Sequence, residues 1–214
     1  MGVGTDSEDL DVSGTEVQLM TTSGGLTIGS LGASGSIVVE GVTQTNSNAV
    51  PSTATLVATV DDSVITFSTT SSTFHTLAAQ ADNGVAVQVK VTTTTGALYL
   101  DADYDDSSDG TNTVQFADTV TVTAATVLTL ESTTGSLVPA GSLTLAAAAG
   151  VVLHDDMTAA ASNKPLVINA DSDGSGDGTL TVQSGKTVTS NKSDVTITAY
   201  DLDMAGSLTA GTLS

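Results

Sequence analysis

A short motif recurs along this chain and restricts what the chain can fold into. Two apolar residues stand at i and i+2, four mostly small or polar residues follow, then a Gly or Ser, one spacer, and another apolar residue. It is read at Val17-Leu19-Gly24-Leu26, Ile65-Phe67-Ser72-Phe74, Val89-Val91-Gly96-Leu98, Leu128-Leu130-Gly135-Leu137 and Leu143-Leu145-Gly150-Val152. The turn positions 24, 72, 96, 135 and 150 are 48, 24, 39 and 15 residues apart. Those gaps fit coils of about 24 residues with insertions, or strand–turn units of about 15. Side chains at i and i+2 share one face of a strand. A Gly then permits positive φ at a corner, and the next strand starts with another inward residue. Alternation over Thr119–Thr123 (TVTVT) and Asp194–Thr198 (DVTIT) has the same period of two.

Short strands with Gly turns also build antiparallel sandwiches, so composition has to separate the two. Aromatic residues make up 3% of the 214, Trp is absent, and the 39% hydrophobic content comes largely from Ala, Val and Leu. Globular cores rely on large aromatic anchors; a core without them must be thin. One inward row of small branched side chains per coil satisfies that condition. The expected fold is all-β, a parallel β-solenoid (right-handed β-helix) with coils of about 24 residues; the alternative is a β-sandwich.

A longer repeat points the same way. Leu98–Thr121 aligns without gaps to Leu166–Thr189, 68 residues later, with 14 of 24 positions identical. The matched positions include Ala102/Ala170, Asp103/Asp171, Asp109/Asp177 and Gly110/Gly178. Residues 65–214 are therefore read as a repetitive solenoid with duplicated segments 98–121 and 166–189. Residues 1–64, where matches are poorer, are read as the N-terminal part of the solenoid or a variant β module, with a long loop near 40–55. Helix is not expected: the Ala-rich runs 146–149 and 158–162 are too short. Pro51, Pro139 and Pro165 are expected at turns or strand starts, where a missing N–H is tolerated.

Charge narrows the function classes. There are 24 acidic residues against 4 Lys plus Arg, a net charge of -20. All four cations are lysines, Lys90, Lys164, Lys186 and Lys192. No basic patch is available for phosphates, so nucleic acid is not an expected partner, and anionic membrane surfaces are disfavoured. No apolar run approaches the ~20 residues of a membrane span, so membrane insertion is not expected. With no Cys there is neither a disulfide nor a thiolate metal site. Residues 1–10 lack the basic and apolar regions of a signal peptide.

The acidic loops are the sharpest chemical feature. In one, Asp101, Asp103, Asp105 and Asp109 stand at alternate positions; in the other, Asn169, Asp171, Asp173 and Asp177 do, with Gly174 at the sixth position for a sharp turn. This is calcium-loop spacing, because Ca2+ takes several hard oxygen ligands in adaptable geometry. Position twelve, where such loops place Glu, holds Asn112 or Leu180. Two readings stay open, a Ca2+ site and a solvated acidic turn. His154-Asp155-Asp156 has the residue types for acid–base work, but Arg is absent and no aromatics line a groove; an enzyme is not expected. His75 and His154 are too far apart for a zinc site and are read as exposed polar residues. The pairs Thr119/Thr121, Thr187/Thr189 and Thr196/Thr198 read as outward strand positions. Asn191-Lys192-Ser193 is one N-glycosylation sequon.

The stretch 149–213, GVVLHDDMTAAASNKPLVINADSDGSGDGTLTVQSGKTVTSNKSDVTITAYDLDMAGSLTAGTL, resembles the Thr-, Asp- and Gly-rich β-solenoid repeats of large secreted proteins. These include filamentous-haemagglutinin-like adhesins and the surface or filament proteins of marine algae. The resemblance implies a structural segment or subunit of an extracellular filament, cell-surface appendage or adhesin shaft, and no catalytic residues. A carbohydrate- or surface-binding adhesive module is the alternative, and a β-helix polysaccharide-active enzyme a third. Expected partners are copies of the chain or neighbouring segments of a longer one, with a carbohydrate or cell surface under the adhesive reading. At the N-terminal end Asp6, Glu8, Asp9 and Asp11 are expected to guard the sheet edge. At the other, Leu208 and Leu213 sit near Gly corners with no charge cluster to close the last coil.

Overall fold

The computed structural model describes residues 1–4 and 11–210; Asp6, Glu8, Asp9 and Leu213 lie outside them. The strands form three sheets of ten, six and eight members, and every strand pair is parallel. One coil defines the path. Thr113–Phe116 lies in the first sheet, Val120–Ala124 in the second, Val127–Glu131 in the third, and Ser136–Pro139 then starts the next coil directly beside Thr113–Phe116. The chain is a three-sided parallel β-solenoid.

Pairing register measures the coil. In the first sheet the chain of partners runs Ile37, Ile65, Val85, Val114, Leu137, Met157, Val188, Leu208. Single steps range from 20 to 31 residues, and the seven average about 24. Variation enters at corners, which take inserted loops at little cost to the sheets because loop-closure entropy grows slowly with length.

Inward positions form axial ladders. In the third sheet Leu77, Leu98, Leu128, Val151 and Leu180 stack in register, all buried. Beside them run Ala79, Leu100, Leu130, Leu153 and Val182. Burying one such Leu contributes roughly 1.5–3 kcal/mol, so the core gains its stability by repetition rather than from a few large residues. The intervening Tyr99, Thr129, Val152 and Thr181 face outward. This corrects one motif assignment: Gly150 begins a strand, so Val151 and not Val152 points inward.

Two helical turns, unexpected from the sequence, stand in for second-sheet strands at the N-terminal end. They are α1 (Gly14–Leu19) and α2 (Gln44–Ser47). The second sheet begins only at Ser72–Phe74; α2 packs against that strand and α1 packs against α2. Val17 and Leu19 are therefore helical, with Val17 buried and Leu19 77% exposed. Each helix starts with a reciprocal capping box, Ser13 with Glu16 and Thr43 with Asn46, which satisfies otherwise orphaned N–H groups. On either side of the helical turns, Ile37–Glu40 and Thr53–Ala58 join the same first and third sheets as the rest of the chain.

The 68-residue repeat does not coincide with whole coils. Leu98–Asp101 is a third-sheet strand, whereas the matching Leu166–Asn169 is a second-sheet strand. Eight sides of the prism separate them. The acidic loop 102–112 consequently sits at the third-to-first corner, and the loop 170–178 at the second-to-third corner.

Candidate functional site

Corners are where the backbone ladder breaks, and short polar side chains repair it there. At the third-to-first corner Asp82 accepts the Asp62 N–H (2.9 Å), Asp103 that of Thr134 (2.6 Å), Asp155 that of Ser132 (2.7 Å) and Asp156 that of Thr187 (2.7 Å). Asp118 and Ser193 accept from Ser142 and Lys164 at the first-to-second corner. Thr93 accepts from Ala125 at the second-to-third. Each bond joins neighbouring coils. A buried N–H without a partner is costly, so these acceptors, several of them carboxylates, are part of the fold.

The loop after Leu98–Asp101 is the most buried acidic group. Asp82, Asp101 and Asp103 are all more than nine-tenths buried. Asp101 lies in register with Glu131 of the next coil. The Tyr99 hydroxyl donates to Glu131 at 2.6 Å and to Asp101 at 3.2 Å. Burial, reinforced by the Glu131 charge, pushes the Asp101 carboxyl up to about 6. Burial likewise raises Asp82, helped by Asp105, Asp109 and Asp61, and it raises Tyr99 together with the Glu131 bond.

Calcium-loop spacing thus places its residues unequally. Asp101 and Asp103 turn into the corner. Asp105 and Asp109 stay exposed and clasp the Ser107 hydroxyl at 3.0 and 2.5 Å. Asn112, at position twelve, reaches back: its amide nitrogen lies 3.1 Å from Asp103 Oδ1 and 2.6 Å from the Ser107 carbonyl oxygen. It also meets Thr134 Oγ1 of the next coil at 2.7 Å. Its backbone is left-handed at φ 48, and its carbonyl accepts the Ser132 hydroxyl. Gly135 is required beside it, because a Cβ there would overlap that carbonyl.

In the second loop the carboxylates of Asp171, Asp173 and Asp177 converge within 4.8 Å of one another. Ser175 sits between them, its hydroxyl 2.9 Å from Asp173 and 2.7 Å from Asp177. Its N–H and hydroxyl hold Asp173 below the usual carboxylate range. Asn169 stands apart from this trio and accepts the Asp171 N–H at 3.3 Å.

Other candidate residues have structural bonds. Asp155 Oδ1 pairs with Lys186 Nζ at 2.5 Å. With Glu131, Thr133, His154 and Gln183, that pair lines a shallow depression of about 220 Å3. The Asn191 amide nitrogen, where a glycan would attach, donates to the carbonyls of Ala159 and Ala160 at 3.2 Å each. Asn112, Thr134 and the inter-coil role of the aspartates were missed by sequence reasoning. Position twelve was the available signal for Asn112. Thr134 had none, because it arrives from another coil. No helix among the described residues is long and apolar enough to cross a membrane. No family model matches the chain, and no curated protein or solved structure is similar to it.

Proposed function

We propose that the chain is a structural segment or subunit of an extracellular filament, cell-surface appendage or adhesin shaft. The observation that carries this reading is axial continuity. Three parallel sheets repeat coil upon coil around one apolar ladder. The last described coil leaves its inward Val195, Ile197, Met204 and Leu208 only partly buried, and Leu202 54% exposed. A further coil, from a neighbouring segment or a second copy, would continue all three sheets and cover those residues. An extracellular or cell-surface location and an adhesive context belong to the same reading and rest on the repeat resemblance. Immunogold labelling of the source cells tests it. Label on surface hairs, fibres or matrix is the expected result; label confined to the cell interior overturns the proposal.

A further inference from the structure

The corner built by loop 102–112 contains an arrangement that hydrogen bonding leaves unresolved. An amide nitrogen carries two hydrogens, yet Asn112 Nδ2 faces three oxygens: Asp103 Oδ1 at 3.1 Å, the Ser107 carbonyl at 2.6 Å and Thr134 Oγ1 at 2.7 Å. The Thr134 hydroxyl also points at the Ser107 carbonyl, 3.1 Å away. The other end of the same amide, Asn112 Oδ1, has no hydrogen-bond partner, although the residue is only 1% exposed. A buried, unpartnered carbonyl oxygen in a native fold demands an explanation. Half a turn of the amide exchanges its two ends and brings Oδ1 among the three oxygens. Four oxygens then converge, and a cation is what holds such a set together.

We propose that this corner binds one divalent cation of calcium size through Asp103 Oδ1, the Ser107 carbonyl oxygen, Asn112 Oδ1 and Thr134 Oγ1. Counted from Asp101, these loop ligands occupy positions three, seven and twelve. Calcium loops likewise use a side chain at three, a backbone carbonyl at seven and a side chain at twelve that closes the shell. Thr134 comes from the next coil and is exposed, so water completes the shell from that side and the ion ties two coils together. The local field favours a cation. Asp82, Asp101 and Asp103 are buried here, and the charges that act on Asp82 and Asp101 are all carboxylates. The second loop has converging carboxylates but no comparable buried, unpartnered oxygen, and nothing is proposed for it. This site stands whether or not the chain forms a shaft.

The test is calorimetric titration of the chelator-stripped chain with CaCl2, in moderate salt and excess Mg2+ to suppress diffuse binding to the acidic surface. A saturable Ca2+ step is expected. Thr134→Val, and Asn112→Gly, which tolerates the left-handed backbone, should each weaken that step about tenfold or more, in line with the loss of one ligand. Asn112→Asp should tighten it, and Asp171→Asn with Asp173→Asn should leave it unchanged. Circular dichroism checks that each variant folds; should Asn112→Gly fail, Thr134→Val and the gain in Asn112→Asp decide. The proposal is overturned by the absence of a saturable step, or by a step that survives Thr134→Val and Asn112→Gly. Loss of the step only in the Asp171/Asp173 variant also overturns it.

Discussion

Short acidic side chains do at the corners what carbonyl oxygens do within the sheets. Asp155 shows the arrangement most clearly: buried, it accepts the N–H of Ser132 and pairs with Lys186. Asp155→Ala should destabilise the fold by about 1–3 kcal/mol, because a buried N–H loses its acceptor. Asp155→Asn keeps an acceptor and should cost less; equal losses in denaturant melts would contradict the staple role. Asp101 works in the opposite sense. Its folded carboxyl titrates at about 6, above the ordinary 3.8, so the folded state binds that proton more tightly than the unfolded chain. The resulting stabilisation is complete below pH ~4 and is lost as pH rises through ~6, at most ~3 kcal/mol for such a shift. Asp118, held low by Lys164 and the Ser142 N–H, acts with the reverse sign and only at more acid pH. In chelator-containing buffer the Tm should therefore climb as pH falls from 7 to 5, and Asp101→Asn should flatten that climb. A parallel climb in both proteins would remove Asp101 as the cause. None of this was legible beforehand: spacing identifies an acidic loop, but burial depends on which coil lies above it.

Strands were legible and short helices were not, for the same physical reason. Period-two alternation marks a strand in as few as three residues when both neighbours repeat it, as Ile65–Phe67 and Val85–Val87 do. A four- or six-residue helix has no room for a 3.6-residue period. α1 carries only its capping box as a signal, and Val17-x-Leu19 imitated the strand motif. Register assigns side chains to faces, and mutation can read it. Leu130→Ala, inside the third sheet, should cost about 2–5 kcal/mol through the cavity it leaves. Val152→Ala, facing outward in the same sheet, should stay within about 1 kcal/mol. Comparable losses in thermal melts would mean that the inward face has been misassigned.

Ten strands stacked about 4.8 Å apart give the first sheet a length of about 43 Å. The coil period averages the expected 24 residues, although hardly any single coil has that length, because insertions move from corner to corner. In one region all three sheets step by 23: Val114 to Leu137, Val120 to Leu143 and Leu128 to Val151. Duplicating residues 114–136 should therefore add one complete turn. The product should fold, lengthen by about 5 Å in small-angle scattering, and melt no lower than the parent; aggregation or a lost transition would mean that coils are not interchangeable.

The offset of the 68-residue repeat by eight sides has a further effect. A unit that advances eight steps around a three-step cycle behaves like a vernier against its own scaffold, each copy emerging one face later than the last. A longer run built from that unit would carry its acidic loops as a spiral stripe and regain its starting face after three copies. Lengthening by such a unit decorates every side of the molecule in turn, whereas lengthening by whole coils would pile all the loops along one edge.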